Sequence, residues 1–186
     1  AVGLAVRVVH TDGSAPVGRG IGPALEARDV LAVLQRHPDA PADLALRSVQ
    51  LAGQILEFGG AAPAGGGFAL AQAVLQDGRA WAKFQEICEA QGGLRQPPVA
   101  PFTRQIHAPR TGRVIGIDNR RLARIAKLAG APKTASAGID LHVQAGDFVE
   151  RGEPLFTLHA GSPGALDYAA DYALSQPTTI HVTEEY

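Results

Sequence analysis

The sequence predicts a mixed α/β fold, α+β in overall layout, with a helical first half and a small, β-rich, barrel-sandwich-like second half. Three observations carry this reading. Apolar residues recur at helical spacing between Pro23 and Cys88. Pro97, Pro98 and Pro101 then fall within five residues, where neither a helix nor a central strand tolerates them. Beyond them, short β-branched runs alternate with glycine turns. Residues 1–95 are accordingly expected to form one part, 96–101 a proline-rich linker and 102–186 a second, smaller domain.

The elements follow in order. Leu4–Val9 is short and β-branched, as a buried strand is, and His10–Ser14 is a turn cluster. Ala1–Leu4 has the look of a helix end with Gly3 as terminator, so the chain reads as starting within a fold. Gly18–Pro23 is glycine-rich and leads into a first helix, with Pro23 suited to its first turn. Leu25, Val30, Leu31 and Leu34 mark its apolar side, and it stops before Pro38. Asp43 is the expected cap of a second helix, which carries Leu44, Val49, Leu51, Ile55 and Phe58 and ends at Gly59-Gly60. Residues 61–67 read as a loop. A third helix spans Phe68–Leu75, and Gly78 separates it from a fourth with Trp81, Phe84, Ile87 and Cys88, closed by Gly92-Gly93. In the second part, strands are expected over Thr103–His107, Gly112–Ile117, Ile139–Val143, Leu155–His159 and Thr179–Val182. One amphipathic helix interrupts them, capped by Asp118 and apolar at Leu122, Ile125 and Ala129. Gly146-Asp147 and Gly152-Glu153 are hairpin-turn candidates.

Composition narrows the function classes. The chain has 186 residues, 46% hydrophobic and 19% charged, which is globular rather than disordered. A formal net charge of −1 argues against a dedicated nucleic-acid or membrane-surface partner. No apolar run reaches the ~18 residues of a transmembrane helix, and no signal-peptide pattern opens the sequence. Cys88 is the single cysteine, so an internal disulfide is impossible; a reducing, cytoplasmic setting is expected. Met is absent altogether.

Five features could carry chemistry. The Gly18–Pro23 loop could present backbone N–H groups to an anion, or be a tight turn that needs small residues. Pro23 stands where a dinucleotide fingerprint needs its third glycine. Arg120, Arg124 and Lys127, with Arg121 beside them, form a basic stripe that reads as phosphate-binding or, more simply, as a solvated helix face. His10, His37, His107, His142, His159 and His181 make no metal-binding pattern and read as structural. Cys88 lies among Phe84 and Ile87 and is expected to pack in a core. The rhythm from Ile139 to Leu158 is similar to that of biotinyl and lipoyl carriers, but Lys133 has none of their surrounding residues. No complete catalytic set emerges.

Three long stretches together resemble the thymidine phosphorylase family, on the branch of archaeal AMP phosphorylase and the bacterial type 2 thymidine phosphorylases. They are Thr11–Asp29, Gly78–Gly93 and Gly138–Val143 continued by Gly146–Ala160. The resemblance covers essentially the whole chain but only the C-terminal portion of such enzymes. It implies the end of a large α/β phosphorylase domain followed by the small C-terminal domain. It also implies phosphorolysis by the full-length protein: inorganic phosphate attacks the anomeric carbon of a nucleoside or nucleotide and the base leaves. A cytoplasmic homo-oligomer, a homodimer by family habit, with no organic cofactor is implied as well. The family's phosphate and base groups lie upstream, so the resemblance places no catalytic residue on this sequence and implies that these 186 residues alone are inactive. It does imply a monovalent cation, potassium, near the glycine loop, at positions matching Val17, Gly20 and Asp29. Asp29 replaces a Glu and is shorter by one methylene. An alternative expectation is a non-catalytic assembly module that docks on a full-length partner.

Overall fold

The computed structural model describes residues 3–183. A helical layer comes first. After the two-residue strand β1 (Gly20–Ile21) come α1 (Pro23–Leu34), α2 (Ala42–Phe58), α3 (Gly67–Gln76) and α4 (Arg79–Ala90). Pro23 occupies the start of α1, where its missing N–H costs nothing. The second helix begins one residue before the expected cap, so Asp43 lies inside its first turn, where a carboxylate complements the helix dipole. Helices α2 and α3 cross closely at small residues: a Cβ on Gly53 would lie 2.7 Å from the Phe68 nitrogen.

The remainder is built from β2 (Phe102–His107), β3 (Gly112–Ile117), α5 (Asn119–Ala129), β4 (Gly138–Leu141), β5 (Phe148–Val149), β6 (Pro154–Ala160), α6 (Pro163–Ser175) and β7 (Ile180–Thr183). Asp118 caps α5 as expected, accepting from the backbone N–H groups of Arg120 and Arg121 at 3.0 Å each. The strands form two antiparallel sheets, one ordered β1-β4-β6-β2 and the other β5-β3-β7. The core sits between these sheets and the helices α5 and α6. Phe156, Leu122, Ile125, Ile139, Leu158 and Val114 are its largest fully buried side chains.

The expected barrel-sandwich is overturned. Both sheets are open, and neither closes on itself or curls strongly. The physical reason lies in the pairing. A barrel was read from turns at Gly146 and Gly152, each taken to join paired neighbours. The short strand between those turns, β5, instead pairs with β3 in the other sheet, while β4 pairs with β6. Between β4 and β6 alone the chain therefore changes sheets twice.

Three further differences concern single elements. Helix α6 was not expected; Ser162 caps it and Pro163 opens it. Strand β1 was not expected either. It carries residues from before the proline-rich stretch onto the edge of β4, with Gly20 opposite Asp140 and Ile21 opposite Ile139. Conversely, the expected strand Leu4–Val9 is not formed, because among the described residues no strand lies beside it to share hydrogen bonds. Among the described residues, no helix is long and apolar enough to cross a membrane.

Candidate functional site

The glycine loop runs along the seam between the helical layer and the four-stranded sheet. Close approach dictates its composition. A Cβ on Gly20 would lie 2.4 Å from the Leu25 carbonyl carbon, and one on Gly138 would lie 2.1 Å from the Ile21 oxygen. Both contacts are with backbone, which cannot swing aside. On the far side, Ala24 N–H donates to the Ala135 carbonyl at 3.0 Å and Leu141 N–H to the Arg19 carbonyl at 2.9 Å.

The loop's N–H groups already have acceptors. Asp29 Oδ2 accepts from Arg19 N–H and Gly20 N–H, both at 2.7 Å. Asp43 Oδ2 accepts from Gly18 N–H at 3.0 Å, and Glu26 Oε1 from Gly22 N–H at 2.9 Å. Three carboxylates thus take the donors that an anion would need, and their charge would repel one. Of the two readings of this loop, the structure supports the tight turn. Its positions expected to hold a cation are near one another: Gly20 touches Asp29 directly, and Val17 precedes the N–H that Asp43 accepts. Asp43 and Glu26 had not been singled out as partners of the loop. For Glu26 the signal was present, as an acid in the first turn of a helix that follows a glycine run; Asp43 also lies in a helix's first turn, but that helix follows no glycine run.

Beside the loop, a polar cleft of about 250 Å³ opens between α1 and β4, lined in part by Arg19, Arg28, Asp39, Asp140 and His142. Most of these groups are engaged. Arg28 donates to the Pro98 carbonyl at 2.6 Å and so ties α1 to the proline-rich stretch. Arg19 donates to the Asp39 carbonyl, and His142 Nε2 lies 2.7 Å from Thr157 Oγ1. On the neighbouring strand, the ring nitrogens of His159 are buried with no hydrogen-bond partner among the described residues. Burial pushes its pKa below the ordinary value, although the Asp140 carboxylate pulls the other way.

The other candidates separate. Among the described residues, no three His, Cys, Asp or Glu side chains converge as a metal centre. In the basic stripe, Arg124 lies over the Tyr172 ring at 5.1 Å, and Arg121 pairs with Asp118 and Thr178. Cys88 is only half-buried, on a helix that buries no residue, so the expected core packing does not occur. Lys133 is exposed between α5 and β4, not at the tip of a hairpin as a carrier lysine must be.

With this geometry in place, similarity to known proteins decides the family. Residues 113–178 match the family described as "Pyrimidine nucleoside phosphorylase C-terminal domain". A Polaromonas protein named "Putative thymidine phosphorylase" is 72% identical over 184 residues, 99% of this chain and 36% of its own length. The chain belongs to the thymidine phosphorylase family. An Acidovorax relative, "Putative thymidine phosphorylase 1", is 60% identical across 100% of the chain and 36% of its own length. A Hahella chejuensis relative, "Putative thymidine phosphorylase", is 52% identical across 99% of the chain. The chain thus spans little more than a third of the curated relatives it matches, and corresponds to the C-terminal part of a thymidine-phosphorylase-family protein.

Proposed function

We propose that this chain is the C-terminal part of an enzyme that cleaves the N-glycosidic bond of thymidine, a related pyrimidine nucleoside or AMP with inorganic phosphate. The products are the free base and a pentose 1-phosphate. The observation that supports the reading is the 72% identity with the Polaromonas relative, held over 99% of the chain. Phosphorolysis requires a held phosphate and donors for the departing base. The glycine loop does not supply the first, since its donors are committed to Asp29, Asp43 and Glu26. On this reading the 186 residues alone are inactive.

The test compares this chain with the full-length Polaromonas relative, each assayed for base release from thymidine, uridine and AMP in phosphate. Base release is expected from the full-length protein alone. Turnover by the 186-residue chain overturns the division of labour, and no turnover by the full-length protein overturns the activity. We further propose that Val17, Gly20 and Asp29 take part in holding a potassium ion. The groups beside this loop, the Asp29, Asp43 and Glu26 carboxylates and the backbone carbonyls, are hard oxygen donors, which suit an alkali cation better than a transition metal. A crystal soaked in a heavier monovalent cation should show an anomalous peak at this loop; its absence counts against the site.

A further inference from the structure

We propose that the polar cleft between α1 and β4 binds the imide edge of a pyrimidine base, with Asp140 taking the ring N–H and Arg19 and Arg28 the carbonyl oxygens beside it. The choice of a base rests on the phosphorolysis reading above, in which a base is the leaving group. The binding itself is argued from the groups that line the cleft.

The acids of the cleft are not equivalent. Asp29 Oδ2 is spent on the N–H groups of Arg19 and Gly20, and the exposed Asp39 carboxylate lies 3.7 Å from His37. Asp140 is half-buried on β4 and makes no hydrogen bond or ion pair among the described residues. Its neighbours do not neutralise it. His142 Nε2 is taken up by Thr157 Oγ1 at 2.7 Å. His159, one strand over, has buried ring nitrogens without a partner, and burial holds its pKa below the ordinary value, so it is uncharged at neutral pH. A half-buried carboxylate with no donor leaves part of its desolvation cost uncompensated until a donor arrives.

The donors come from two other elements. Arg28 reaches in from α1 and spends one N–H on the Pro98 carbonyl, while Arg19, at the entry to β1, spends one on the Asp39 carbonyl. A guanidinium carries several N–H groups in one plane, so both keep donors to give. Gly20, next to Arg19, stands opposite Asp140 across the β1–β4 pair, and Arg28 and Asp140 both act on the His159 ring. The cleft thus offers one uncommitted acceptor and planar donors from two elements. Three carboxylates against two guanidiniums line it, which disfavours a phosphate or another anion. An imide is neutral and planar, with its N–H set between two carbonyl oxygens, and so complements a carboxylate served by two guanidiniums. A volume of about 250 Å³ is below that of a drug-sized pocket and suits a single ring.

Heteronuclear NMR titration of the 186-residue chain tests this with two probes: 1-methyluracil, whose imide edge is intact, and 3-methyluracil, whose imide N–H is gone. The first should give saturable shifts at Asp140 and its strand neighbours, and the second should bind at least about tenfold more weakly. Asp140→Leu, similar in size but without an acceptor, should weaken 1-methyluracil by a similar factor. No shift with 1-methyluracil up to about 10 mM, where even a weak small ligand registers, overturns the proposal. Equal binding of the two methyluracils also overturns it, since the imide N–H would not be read. Ribose binding as tightly as 1-methyluracil overturns the ligand class, and unchanged binding by Asp140→Leu overturns the site. Should that variant not fold, the methyluracil pair decides the matter on the unaltered chain. Binding is read without turnover. Imide-dependent binding beside a full-length relative that cleaves no nucleoside would therefore uphold the cleft and count against the phosphorolysis reading alone.

Discussion

Helices α2 and α5 are both amphipathic, yet they end in opposite states. Helix α5 buries its stripe of Leu122, Ile125, Ala126 and Ala129 against the four-stranded sheet and α6. Helix α2 is longer, but leaves Leu46, Leu51, Ile55 and Phe58 exposed and buries only Val49 and Gly53. The contrast extends to the regions around them. Beyond the proline-rich stretch, the side chains close into one core, and among the described residues before that stretch Ile21 of β1 packs at its margin. In the helical layer, α4 buries no residue at all. The lesson is that an amphipathic pattern fixes which face a helix must cover, not where the cover lies. For α5 the cover is in this chain; for α2 it is not.

If the comparison is right, the largest effect belongs to the closed core. Phe156 is 2% exposed, on a strand paired on both sides. Phe156→Ala should cost about 3–5 kcal/mol, read as a fall in the urea midpoint of unfolding. A cost near zero would mean that this core is no better closed than the helical layer.

The seam between the regions comes next. Gly20→Ala puts a methyl into the Leu25 backbone and should cost about 1–3 kcal/mol. It should also speed hydrogen exchange in β4, whose edge β1 covers. Destabilisation without faster exchange in β4 would show that the seam does not join the two regions through that pairing.

A smaller effect is carried by pH. Burial lowers the pKa of His159 below its ordinary 6.5, so around and below that value the unfolded chain binds more protons than the folded one. Stability should therefore hold above about pH 6.5 and fall as pH drops through it. His159→Gln should flatten that fall in a denaturant series taken from pH 7.5 to 5.5. An unchanged slope would locate the acid sensitivity elsewhere.

Many of the individual elements were legible in the sequence. The first five helices were readable because glycine, proline or a cap marks their ends, as Asp118 does for α5. Helix α6 escaped although Ser162-Pro163 is a start signal, because its buried stripe is Leu166 followed by Ala169, Ala170 and Ala173, which contrasts weakly with its surroundings. Strands β1 and β5 are two residues each, too short for any period to show. The barrel was over-read because turns reveal where a chain reverses, not which strand it meets afterwards. At the loop, Asp29 was singled out as a cation ligand, while its hold on two backbone N–H groups was hidden. The part of Asp43 was less legible still, since it reaches Gly18 across 25 residues of sequence.

The smallest effect on stability is expected where the apolar surface is most exposed, and it sharpens the comparison most. Ile55 is 70% exposed on α2. Little of it is removed from water when this chain folds, so Ile55→Ser should change the unfolding free energy by less than about 0.5 kcal/mol. Phe156→Ala and Ile55→Ser each remove a large apolar side chain from a regular element, and differ in whether this chain supplies the cover. If α2 meets its cover only in a full-length protein, the aligned substitution there should cost appreciably more, because burial then stabilises at about 25 cal/mol per Å². Equal, negligible costs in both settings would show that this part of α2 faces solvent in the full-length protein as well.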